Sequence, residues 1–103
     1  MKIENRVKYA LETGTWMLRR SDGGKAHEGF QWADVGEWTE APDWDNEANC
    51  GGGLHGNFFD DACYWSSGAD IDFCITFGER VRIDEQKSKV QFAMVLMRNE
   101  LPE

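Results

Sequence analysis

Asp70-Ile71-Asp72-Phe73-Cys74-Ile75-Thr76-Phe77 is the stretch on which the reading of the whole chain turns. Ile71, Phe73, Ile75 and Phe77 fall on one face of an extended segment, and Asp70, Asp72, Cys74 and Thr76 on the other. That is the period of two that a strand imposes. Gly78 permits a bend or bulge, and Arg80–Ile83 resumes the alternation. Asp84–Ser88 reads as a turn into a second long strand, Lys89–Arg98. There Val90, Phe92, Met94 and Leu96 share one side, while Ala93, Val95 and Met97 make the second half apolar on both faces, as in a central strand.

Upstream, Asn57 is placed to cap a helix, with Asp60 and Asp61 in its first turn. Phe58, Phe59, Ala62, Cys63 and Trp65 or Ser66 supply i, i+4 contacts over residues 58–66, and Ser67-Gly68 ends the segment. Residues 42–53, with Pro42, Asp43, Asp45, Asn46 and three glycines at 51–53, read as loop. Gly29–Trp32 and Val35–Ala41 are short strand candidates, the second closed by Pro42, which has no donor for a ladder bond. Thr15–Arg20 reads as a strand and Ser21-Asp22-Gly23-Gly24 as a turn. Ile3, Val7, Ala10 and Leu11 make one stripe of an N-terminal helix that Gly14 stops in a left-handed conformation. The expected fold is therefore α+β, a single domain over residues 1–103 with an antiparallel sheet and two short helices.

Charge is distributed unevenly along this frame. Residues 26–79 contain no lysine or arginine but hold twelve carboxylates and four of the five tryptophans. Residues 1–25 sum to +3 and residues 80–103 to +1, so the central −12 sets the net charge of −8. Such a field repels phosphate backbones and favours basic partners, which excludes direct nucleic-acid binding as the first reading. A hydrophobic content of 41% with 13% aromatics excludes a disordered acidic tail. No apolar run approaches the ~20 residues of a membrane span. The N-terminus lacks the apolar core of a signal peptide, and the three cysteines show no C-x-x-C spacing, so a reduced, cytoplasmic setting is expected.

Three motifs invite chemistry. Asp43-Trp44-Asp45-Asn46-Glu47 begins like a calcium loop, but Ala48 stands where such a loop needs glycine and Leu54 where it needs a bidentate glutamate. No metal or other cofactor is expected from it, and an acidic solvated loop is the better reading. His55, near Cys50 and the Asp60-Asp61 pair, has the residue types of an activated nucleophile or a zinc site. The simpler reading is a histidine that tidies a tight loop. Gly51-Gly52-Gly53 has the amides to cradle an anion but no accompanying lysine within the stretch. Among the tryptophans, Trp16 and Trp65 fall on periodic faces. Trp32, Trp38 and Trp44 instead flank loops beside Asp34, Glu37, Glu40, Asp43 and Asp45. Aromatics among carboxylates suit an interface that receives lysine and arginine.

Gly29-Phe30-Gln31-Trp32, then Val35-Gly36-Glu37, then Cys50 with Gly53-Leu54-His55, resembles a small uncharacterised domain family of phage and bacterial genomes. The resemblance covers about residues 29–98, with a late turn from Asp84 to Lys89, and it implies a phage or mobile-element origin. Leu54-His55, Ala62, Tyr64 and Ile71–Phe77 are also similar to the middle of ADP-ribosyltransferases, although the chain has no E-x-E or Q-x-E motif. That second resemblance implies a small NAD-using enzyme acting through His55.

The function expected first is a non-enzymatic binding protein, in the manner of anti-CRISPR proteins, that inhibits a host nucleic-acid-handling complex as a charge mimic. Its candidate binding residues are Glu37, Glu40, Asp43, Asp45, Glu47, Asp60 and Asp61, with Trp38 and Trp44 as anchors on a basic protein surface. If residues 34–47 form a solvent-facing patch, their carboxylates are expected to repel one another with no internal cation to relieve them. Stability should then rise with salt, and as pH falls from 7 toward 5.

Overall fold

The computed structural model describes residues 2–25, 30–49, 51–61, 69–85, 87–100 and 102. Within them one helix, α1 (Ile3–Thr13), precedes five strands: β1 (Trp16–Ser21), β2 (Trp38–Glu40), β3 (Leu54–Phe58), β4 (Asp70–Arg82) and β5 (Ser88–Arg98). Every pairing is antiparallel. β1 lies between β3 and β4, β4 also pairs with β5, and β5 returns to β3, so four strands close into a barrel. β2 stands outside the ring, on the same edge of β5 that β3 occupies further along. The fold is thus mostly β, a closed four-strand barrel with one helix among the described residues. It is not the α+β sheet with two helices that the sequence led us to expect.

The expected start of the second helix is overturned for a local reason. Leu54, Gly56 and Phe58 are buried in alternation with half-buried His55 and Asn57, a period of two that ladders with β1 and β5 hold in place. Asn57 and Phe58 therefore lie in a strand, and residues 59–61 form a turn. Asp61 accepts the Phe58 amide at 2.9 Å, so its carboxylate closes that turn rather than starting a helix. Residues 62–66 of the expected helix lie outside the described residues. Val35–Ala41 contracts to β2 because Gly36, at φ 91, turns the chain and the Glu37 amide bonds back to Asp34. Of Gly29–Trp32, Gln31 forms an isolated bridge with Lys25, and Gly29 is outside the described residues.

Other expectations hold. α1 ends at Gly14 in the left-handed region, at φ 71. Gly78, at φ 91, lies where the register between β4 and β5 slips between Phe77 and Arg80, the signature of an extra residue on β4. Two apolar groups result. Met17, Leu54, Phe58, Cys74, Val90, Ala93 and Val95 fill the barrel. Outside it, Val7 and Ala10 of α1 cover Phe73, Ile75, Met94 and Leu96, while Ile3 and Leu11 of the same helix stay exposed. The two faces of β4 are therefore both buried at its centre, and the face carrying Asp72 and Cys74 is the one inside the barrel. On β5 the strict alternation breaks near Gln91, since Val90 joins the interior whereas Phe92 meets exposed Phe77.

Candidate functional site

Cross-strand register assembles the most deeply buried charges. Arg19, Asp72 and Arg98 occupy successive positions on β1, β4 and β5, so two guanidinium groups flank one fully buried carboxylate. Arg98 donates to Asp72 from Nε at 2.7 Å, Ser21 donates from its hydroxyl at 2.8 Å, and Arg19 Nε stands 3.6 Å away. Arg19 also lies over the Trp32 ring, 3.8 Å from its centre, and donates to the Gly24 carbonyl at 3.3 Å. Burial lowers the Arg19 pKa, and the hydrogen bond to Asp72 raises that of Arg98. Between them Cys74 is pushed well above the ordinary thiol range by its burial.

A second cluster gathers around Asp61, whose side chain is fully buried. Arg80 reaches it at 3.0 Å and Arg82 at 3.2 Å, Ser88 donates at 3.0 Å, and Arg80 also pairs with Asp60 at 2.6 Å. A third involves Lys89, which has no exposed side-chain surface. Its ammonium donates to Asp45 at 2.8 Å and to the Gly51 carbonyl at 2.9 Å, beside the Trp44 ring. The hydrogen bond from Lys89 holds the Asp45 carboxyl below its ordinary pKa, and that from Arg80 does the same for Asp60. Gly52 is required here, because a Cβ would collide with the Asp45 carboxylate.

The nine candidate binding residues are therefore not all free to meet a partner. Asp45, Asp60 and Asp61 are tied to cations of the chain itself, and Trp44 packs half-buried against the barrel interior. Within residues 34–47 the expectation that no internal cation relieves the carboxylates is corrected at Asp45, which Lys89 pairs, while Arg80 and Arg82 pair Asp60 and Asp61 outside that stretch. Glu37, Glu40, Asp43 and Glu47 remain exposed, without an ion pair among the described residues, and Glu40 accepts only a 3.4 Å bond from Gln91.

Trp38 belongs to a different arrangement, one whose other members the sequence reading missed. In-register positions across β4, β5 and β2 form two rows on the outer face, Ile75-Met94-Trp38 and Phe77-Phe92-Glu40. α1 covers the first row at Ile75 and Met94 and stops short of the second. Phe77 is left 65% exposed and Trp38 46% exposed, their rings edge to face at 6.4 Å, with Phe92 5.9 Å from Phe77. Glu40 stands in the second row itself, and exposed Glu37 and Glu79 lie next to Trp38 and two residues beyond Phe77 in the chain. Phe77 beside bulge-forming Gly78 was the available signal, because a large apolar residue at a strand's bend escapes the covering helix.

His55 lies on β3 and its Nε2 accepts the Gly51 amide at 3.2 Å, which places it in the loop-tidying role; Cys50 lies outside the described residues. Among the described residues no three His, Cys, Asp or Glu side chains converge as metal ligands. No described helix is long and apolar enough to cross a membrane. No family model matches this chain, and no curated protein or solved structure proved similar to it.

Proposed function

We propose that this chain is a non-enzymatic binding protein that docks a basic protein surface through Trp38, Phe77 and Phe92, with Glu37, Glu40 and Glu79 at the rim. One observation carries the reading: Trp38 and Phe77 are exposed together with half-buried Phe92 against Phe77, while the buried Asp61, Asp72 and Lys89 side chains are matched by their own partners. An aromatic centre excludes water and carries affinity, whereas exposed carboxylates around it steer a cationic partner and set the register. The partner class is a cytoplasmic nucleic-acid-handling complex, whose basic groove meets the unpaired carboxylates where phosphates would lie. Inhibition by mimicry follows from that occupancy.

The test is capture of a partner from host extract followed by competition. Duplex nucleic acid should release the captured protein, and Glu37→Lys with Glu40→Lys should slow its association several-fold at low salt and less at high salt. Trp38→Ala should weaken binding by roughly thirtyfold, about 2 kcal/mol, as expected of a central aromatic anchor. Binding that ignores all three changes would sink the proposal.

A further inference from the structure

The aromatic face ends at a strand edge whose backbone is open. On the β2–β5 ladder the Ala41 amide donates to the Gln91 carbonyl at 2.8 Å, which makes 41/91 a hydrogen-bonded pair. Bonded and non-bonded pairs alternate along an antiparallel ladder, so Thr39/Ala93 is the next bonded pair. Trp38 and Glu40 therefore turn their amide and carbonyl groups the other way, toward the outside of the sheet. Among the described residues β2 has β5 as its single strand neighbour, and Trp38 and Glu40 are both exposed. Native edges are commonly blunted by shortness, charge, proline or a bulge, and β2 is short and acidic, which suits a cation-bearing strand and disfavours self-pairing. Its edge carries Trp38 and Glu40, with Pro42 beyond its C-terminal end.

Resting on the binding reading above, we infer that the free edge of β2 receives an extended, cation-bearing segment of the partner as an added strand. Backbone pairing supplies the attachment. Side chains at alternate positions of the incoming strand stand over the outer face, where residues opposite each other lie about 5 Å apart. One such position meets Glu40 and the position two residues away meets Trp38, so arginine or lysine at both gains an ion pair and a cation–π contact. Charge argues for this occupant over a second copy of the chain. Self-pairing through β2 brings Glu37 and Glu40 of two molecules together, each molecule carrying a net −8.

The probe is an eight-residue peptide of alternating arginine and valine, with an alternating glutamate-valine peptide as the control. Hydrogen exchange followed by NMR should slow at least tenfold at the Trp38 and Glu40 amides when the first peptide is added, and not with the second. The Thr39 amide, already bonded to β5, should be unaffected. Proline at position 40 removes an outward amide and leaves the inward ladder whole. Glu40→Pro should therefore bind the peptide at least tenfold more weakly than Glu40→Ala, which removes the same carboxylate but keeps the amide. Exchange in the unmodified chain remains decisive should the proline variant fold poorly. Binding that is lost in Trp38→Ala yet indifferent to proline, with no added protection, overturns strand addition and leaves the face reading standing. No binding of the peptide at millimolar concentration overturns the inference. So does edge protection that appears without peptide and grows with protein concentration, since a second copy is then the occupant.

Discussion

Asp72 is the residue on which one end of the barrel depends. It is fully buried and accepts from Arg98 and Ser21, with Arg19 beside it. Removing it strands buried guanidinium charge, and Arg19 Nη1 already lacks an acceptor. Asp72→Ala should therefore destabilise by about 3–5 kcal/mol in urea unfolding. Replacing the whole row, with Arg19→Met, Asp72→Leu and Arg98→Met together, should recover much of that loss, because apolar side chains need no compensation. Cys74 sits in the same interior, and burial disfavours its thiolate. In a Cys50→Ser, Cys63→Ser background, a thiol-reactive dye should label Cys74 only as fast as the native fold opens, and at the rate of a free thiol in denaturant.

Among the elements, β3 closes the ring, and Gly56 makes closure possible. A Cβ at that position would sit 2.5 Å from Met17 Sδ and 2.9 Å from the Leu18 carbonyl oxygen, so β1 and β3 approach only because nothing is there. The carbonyl cannot yield as a side-chain tip can. Gly56→Ala should cost about 1–3 kcal/mol, visible as a lower melting temperature with the far-ultraviolet spectrum retained at low temperature. β2 follows the opposite logic. The Gly36 turn shortens it to three residues and leaves it on the rim, where it contributes little to the barrel and most of the open edge.

For the molecule as a whole, pairing reverses the expected response to acid. Asp45 and Asp60 have folded-state pKa values below the ordinary 3.8 because Lys89 and Arg80 hydrogen-bond to them. The unfolded chain then binds more protons near that pH, so their contribution is full above about pH 4 and is lost as pH falls through the lowered folded values. The melting temperature should hold or change little from pH 7 to 5 and drop below pH 4. It should not rise on acidification as a mutually repelling patch would require. Lys89→Met should shrink that acid-dependent drop, which melts across pH can measure against the unmodified protein.

Elements that rest on short-range chemistry were legible in the sequence. β4 and β5 follow from period-two alternation, α1 from its stripe and the Gly14 stop, and the bulge from Gly78, because each is set by neighbours a few residues away. Trp38 was legible as an exposed aromatic, whereas Phe77 was not, since its exposure depends on where α1 ends over the sheet. Alternation also says that β4 has two faces without saying which is inside. Only the barrel decided that Asp72 points inward, and only register brought Lys89 to Asp45, 44 residues apart, and Ser21 to Asp72, 51 apart. The basic flanks and the acidic middle were visible as separate blocks of sequence. The pairing of Asp45, Asp60, Asp61 and Asp72 with flank cations belongs to the tertiary structure, because Coulomb energy follows distance in space and chain order does not determine it.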